Sequence, residues 1–263
     1  MPKKYTLTNL VFAGLILLVT APSIFAANKL SIEEALNMAG RQRMLTQRII
    51  KDYALIGQNL SAGAKYELLD SVALFEMQLE KLSQFANRSG EQKKINDINT
   101  LWQQFRPQVT AVPSFKQVNM LNQLADEIML ESNNLVLMLE KRSEDNIGEL
   151  VNISGRQRML SQRIAKIYVL QTWGLSTNVL QEQYTQTVQE FSTGLAALQE
   201  VPSNDKQIDR ALRRVETNWK IFKYSNPRTR NQQHAGRVPN LVVRSMDKIE
   251  QQMDEITELY ADL

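Results

Sequence analysis

The sequence predicts an all-α protein of two tandem antiparallel four-helix bundles. Three observations lead there. Apolar residues recur at three- and four-residue spacing along almost the whole chain. Gly, Pro and Asn gather at a few joints that divide each half into four such stretches. The chain also aligns with itself at an offset of 115, "GRQRML" standing at 40–45 and again at 155–160. With 263 residues, 43% of them hydrophobic and 22% charged, it is long enough to bury a real core.

The first 26 residues carry Lys3-Lys4, an apolar run from Leu10 to Val19 and the sequence Ile24-Phe25-Ala26. This pattern predicts a secretory signal peptide cleaved near Ala27, and so a periplasmic mature protein. The run is shorter than the ~20 residues a spanning helix needs; an uncleaved segment anchoring the protein in the inner membrane is the alternative. Helices are then expected near 31–58, 61–87, 91–111 and 115–145, forming a first unit over 27–146. A second unit over 147–263 repeats them near 147–174, 177–199, 204–224 and 240–262. Helices of this length joined by short loops pack as antiparallel bundles. The pairs Trp102/Phe105 and Trp219/Phe222, three residues apart on one helix face, are expected in the cores. The join "EKRSEDNIGELVN" (140–152) leaves two arrangements open. The fourth helix runs on into the fifth as one long continuous helix, or a break near Asp145-Asn146 folds the bundles side by side; the lack of a proline or compact turn slightly favours the rod.

Removal of Lys3 and Lys4 takes Lys+Arg from 31 to 29 against 28 Asp+Glu, a net charge of about +1. No basic stripe interleaved with aromatics is present, so nucleic acid is not an expected partner. Cys is absent, and an exported chain without disulfides relies on its core. There is no metal-ligand spacing, phosphate-cradling loop or nucleophile motif, and no enzyme activity or cofactor is expected. The one histidine, His234, lies with Arg228, Arg230 and Arg237 in a segment, 225–240, that reads as an exposed basic connector.

On a helical wheel, Met38, Gln42, Leu45, Ile49 and Ile56 form a stripe facing the bundle core. Leu36, Gly40, Arg43, Gln47, Ile50 and Ala54 form a second stripe, repeated as Val151, Gly155, Arg158, Gln162, Ala165 and Val169. Their alternating 4-3 spacing is that of a packing seam. The first helix of each unit thus has two faces that need neighbours, and a twin helix is the natural occupant of the second. A glycine costs ~1 kcal/mol against alanine in mid-helix but lets two backbones approach. Two facing guanidiniums ~5 Å apart would repel by about 3 kcal/mol at an effective dielectric near 20, a cost that a shared small anion converts into charge-assisted hydrogen bonds. The competing role for Arg43 and Arg158 is an ion pair to a glutamate of a neighbouring helix. Arg41 and Arg48 lie on another side as salt-bridge partners, and Gln42 and Gln157, with Thr46 and Ser161, are expected to form a polar layer that sets register.

The stretches Ala39–Lys51 and Ser154–Lys166 resemble the "AGRQRMLSQRIAK" motif of the PilJ/NarX-like sensor domain. That domain is found in type IV pilus chemoreceptors and in nitrate/nitrite-sensing histidine kinases. The resemblance implies a helical sensor bundle. In the nitrate sensors the glycine and arginine of Gly-x-x-Arg-Met bind nitrate between two subunits' first helices; carried over, that role falls on Gly40 and Arg43 and on Gly155 and Arg158. Gln47 and Gln162, one turn on in the same stripe, are candidate ligand contacts from the helical spacing alone. Arg41 and Gln42 depart from the nitrate sensors, which have smaller or apolar residues there. The expected function is a sensor-type protein holding a small anion such as nitrate or nitrite between paired first helices, either in a homodimer or within one side-by-side chain. With no signalling region of its own, it would report through a membrane-bound sensor or chemoreceptor. The alternative is a non-catalytic helical scaffold for pilus or chemoreceptor components.

Overall fold

The computed structural model describes residue 1 and residues 30–143, 146–224 and 238–263. Apart from Met1, the expected leader lies outside the described residues, as do His234 and the rest of the basic connector over 225–237. Among the described residues the fold is entirely helical: α1 (Ile32–Gly57), α2 (Ala64–Phe85), α3 (Ser89–Val109), α4 (Phe115–Glu140), α5 (Ile147–Thr172), α6 (Asn178–Gln199), α7 (Lys206–Tyr224) and α8 (Val238–Ala261). No helix among them is long and apolar enough to cross a membrane.

The starts of the helices follow from local chemistry. Ser31 and Glu34 form a reciprocal capping box at α1. Thr177 caps α6, and Asp205 accepts from the backbone N–H groups of Gln207 and Ile208 at α7, both at 2.8 Å. Both first helices end at the same place in the repeat in left-handed backbone, at Asn59 (φ 55°) and Gly174 (φ 104°).

Within each unit the four helices form a square. α1 packs on α2 and α4, and α3 closes the far corner; α5, α6, α7 and α8 repeat the arrangement. The expected aromatics lie in the two cores, Trp102 stacked on Phe75 at 3.9 Å and Trp219 against Phe191 at 4.2 Å.

The continuous rod is not formed. α4 stops at Glu140 and α5 starts at Ile147, so the chain breaks where the side-by-side alternative placed the break, and α1 lies against α5. Gln58 reaching Val169 and Thr172 while Gly40 sits beside Arg158 shows that the two helices run parallel and in register. The reason is burial. All twelve residues of the two seam stripes are buried, and a rod made of one chain alone would have left both stripes in water. Arg142 holds the turn, donating to both oxygens of Glu91 at 2.9 Å and lying over the Phe85 ring. The seam that a homodimer would have formed is therefore closed within the chain.

At the far end of the seam a Cβ on Gly57 would fall 2.3 Å from the Trp173 ring, itself packed against Tyr53 and Phe115. Overpacking of this kind costs ~1–3 kcal/mol. Gly57→Ala should therefore lower the urea midpoint without changing helix content, and Gly57→Ala/Trp173→Leu should recover part of the loss. An unchanged midpoint in the single variant would contradict the packing described.

Candidate functional site

The repeat fixes what meets at the seam. Because α1 and α5 are parallel and in register, each residue of one stripe faces its own counterpart, and an approximate two-fold axis runs between them. Gly40 and Gly155 face each other across this axis, with Arg43 and Arg158 one turn on. A helical side chain leans toward the N-terminus of its helix, which brings both guanidiniums back over the glycines. A Cβ on Gly40 would lie 3.3 Å from Nη2 of Arg43 and 3.5 Å from Nη2 of Arg158; on Gly155 the distances are 3.1 Å to Arg158 and 3.5 Å to Arg43. Glycine is what leaves the two arginines room to share this space.

Each arginine reaches across to the other copy. Arg43 donates through Nη1 to Asn152 Oδ1 (3.0 Å) and to Asn133 Oδ1 on α4 (2.8 Å), while Nη2 has only a long bond to the Asn152 carbonyl (3.5 Å). Arg158 donates through Nη2 to Asn37 Oδ1 (2.7 Å) and through Nη1 to Asp254 on α8. The competing role, an ion pair to a neighbouring helix, is thus present for Arg158 within its own bundle, with an aspartate in place of the expected glutamate, and absent for Arg43 among the described residues. The nearest side-chain atoms to either glycine are those of the two guanidiniums themselves.

Both side chains are buried, at 1% and 0% exposure, and Nε of each has no hydrogen-bond partner among the described residues. Burial first, and then the charges of Arg158 and Arg156, push Arg43 down to about 9, with Glu140 opposing. Arg158 is lowered by burial and by Arg41, against Asp254. At about 9 Arg43 remains cationic at neutral pH. Arg43's charge is met only indirectly, through Asn152, whose amide donates to Glu140 at 2.9 Å.

One turn further, Gln47 donates to Thr46 Oγ1 and Asp126, and Gln162 donates to Asp247. The same carboxylates take a lysine from the opposite copy: Lys166 to Asp126 at 2.9 Å and Lys51 to Asp247 at 2.7 Å. The glutamines therefore sit below the arginines in a cross-braced layer, their amide N–H groups already engaged. Around the rim, Arg41 bonds Asp254 at 2.6 Å and Arg48 bonds Glu250 at 2.5 Å, the salt-bridge roles expected of them. The expected Gln42/Thr46 layer is different in kind. Gln42 pairs with Gln78 and the Phe75 carbonyl across to α2, whereas Thr46 and Ser161 turn back onto the Arg43 and Arg158 carbonyls of their own helices. A hydroxyl at that position reaches its own i−3 carbonyl more readily than another helix.

Sequence reasoning passed over Asn37 and Asn152, although both lie inside the aligned repeat. Asn133 and Asp254 carry no local motif, and only the packed α4 and α8 bring them in. A cleft of about 300 Å³ opens elsewhere, between α1, α2 and α8, lined by Arg48, Lys51, Glu67, Asp70, Asp247 and others. It lies on the outer side of the lysine layer, away from the guanidinium pair.

Comparison with curated proteins and with solved structures finds no match. The PilJ family model, described as the type IV pili methyl-accepting chemotaxis transducer N-terminal domain, matches residues 26–127 and again 141–243.

Behind the cleft Asp52 is fully buried with neither oxygen hydrogen-bonded among the described residues, its Oδ1 3.4 Å from Lys51 Nζ. Burial pushes its carboxyl up to about 7, Lys51 opposing and Glu67 and Asp247 adding. A raised carboxyl favours the fold below the unfolded value near 4, and that contribution is lost as pH rises through about 7. Thermal melts should show stability falling between pH 4 and 7, and Asp52→Asn should flatten that slope and raise the melting temperature at pH 8. An identical slope in the variant would refute this assignment.

The matched residues, the doubled glycine-arginine motif and the all-helical bundles agree, and the chain belongs to the PilJ family of chemotaxis-transducer sensor domains, which it carries as two copies in tandem.

Proposed function

We propose that this chain is an exported, periplasmic sensor-type protein that holds a small anion of the nitrate or nitrite class at the α1–α5 seam and signals through a separate membrane-bound partner. The observation that carries this reading is the buried pair Arg43 and Arg158: two cations with, among the described residues, one bonded carboxylate, on Arg158, and Nε donors without partners on both. An isolated buried charge is among the costliest features a fold can retain, and an anion beside Gly40 and Gly155 would answer it. Planar oxoanions match the fork of a guanidinium, which offers paired N–H groups at fixed spacing. In this reading Gly40 and Gly155 provide the approach, Arg43 and Arg158 the charge, and Gln47 and Gln162 the floor that keeps the arginines from sinking toward Asp126 and Asp247. The units are the two repeats, 27–146 and 147–263.

The second reading, a helical scaffold for pilus or chemoreceptor components, is favoured by the Arg158–Asp254 pair, which is already satisfied without ligand. The two readings separate in a melt. Sodium nitrate at ~100 times its dissociation constant stabilises by about 2.7 kcal/mol, or ~5–10 °C for a chain of this size, whereas the scaffold gives no shift with nitrate, nitrite or chloride.

Arg43 has no carboxylate partner among the described residues, so Arg43→Met should fold with equal or greater stability in anion-free buffer while nitrate binding by calorimetry falls by about tenfold or more. Arg43→Ala/Arg158→Ala should abolish it. Wild-type affinity in that double variant would remove the anion reading.

A further inference from the structure

The polar partners of the guanidinium pair come in matched twos, with one exception. Asn152 and Asn37 play the same part for Arg43 and Arg158. Asp126 and Asp247 each accept a glutamine from their own unit and a lysine from the other. Seven residues further along α4 and α8 stand Asn133 and Asp254, each accepting from Nη1 of its own unit's arginine. The positions correspond and their charges do not.

We propose that Asp254 is a resident counterion that an anion entering the seam displaces from Arg158, so that occupancy is felt by α8 and not by α4. This rests on the anion reading above and adds to it which helix responds and why.

The exchange is open to Asp254 because it has somewhere to go. One oxygen, Oδ1, accepts from both Arg158 and Arg41, and the side chain is 31% exposed. Releasing Arg158 leaves a carboxylate that is still paired and partly hydrated. Arg158 itself is fully buried and can release Asp254 only if another anion takes its place. At Arg43 the situation is the reverse. Asn133 is neutral, so an anion there adds to the existing hydrogen bonds and displaces nothing charged. The seam thus holds one competed arginine and one uncompeted arginine.

The rim amplifies the difference. α8 is tied across the seam to α1 by Arg41–Asp254, Arg48–Glu250 and Lys51–Asp247. On the opposite side the counterpart of Arg41, Arg156, bonds Glu190 on α6, and Met129 stands on α4 where α8 has Glu250. Losing the Arg158 bond therefore removes a tether of α8 to its own bundle and leaves its tethers to α1. The balance of holds on α8 shifts from one unit toward the other; α4 keeps its hold on α5 through Lys166–Asp126 and carries no carboxylate on Arg43, among the described residues, for an anion to release.

Hydrogen exchange on the wild-type chain with sodium nitrate against sodium gluconate at equal ionic strength tests this without a variant. Amides of α8 over 247–258 should exchange differently with nitrate, while those of α4 over 126–137 stay unchanged. Asp254→Asn, which removes the competitor, should bind nitrate about tenfold more tightly, and Asn133→Asp, which installs one at Arg43, about tenfold more weakly. If nitrate binds but α4 and α8 change alike or not at all, or Asp254→Asn binds as wild type does, the displacement is overturned and the anion reading stands. If neither wild type nor Asp254→Asn binds nitrate, both are overturned.

Discussion

The seam puts like charge against like charge because two copies of one helix lie parallel and in register. An antiparallel pairing of the same two stripes would have set Arg43 opposite Gln162; parallel register sets it opposite Arg158. Much of the local chemistry follows from that. The glycines are needed because two guanidiniums must fit in one space, and the asparagines because five N–H groups per arginine must go somewhere without water. The lysine–aspartate layer reaches across the seam because each carboxylate is shared between an arm of its own unit and an arm of its neighbour.

The departures from two-fold symmetry fall where charge is held. Lys51 and Lys166 occupy the same place in the repeat, yet Lys51 is raised by Asp52 and Asp247 while burial pushes Lys166 down to about 8 against Asp126 alone. The difference is that Ile167 stands where the first copy has Asp52. Apolar positions change little in kind: Ile128 matches Ile249 and Phe75 matches Phe191, all fully buried. The two copies share a shape and divide the charge unequally.

The fold was legible in the sequence because it rests on periodicity and repetition, and helix boundaries came out within a few residues. The second stripe was legible for the same reason, since a helix buried on two faces shows two apolar spacings. What the residues between Glu140 and Asn152 could not show was the break after α4. That break is enforced at a distance, by the area the two stripes bury on each other, and not by a local turn signal. The arginines were legible through the doubled motif. Their partners were not: Asn133 and Asp254 are ordinary polar residues on amphipathic helices, indistinguishable by pattern from a solvated face, and their meaning comes from which helix the square brings alongside.

A seam built only of aliphatic residues would hold two helices together more securely than this one. Here apolar contacts are kept at both ends, Leu36 with Val151 above the arginines and Ile50, Ala54, Ala165 and Val169 below the glutamines, all buried, while the middle is given to groups that can exchange partners. The ends keep the helices in register; the centre has more cation than its own carboxylate balances. On the proposed reading, a region clamped at both ends cannot separate when an anion neutralises its charge, and the change in force passes to the helices packed on its flanks. The path of that force follows from where the apolar and charged residues lie along one repeated helix.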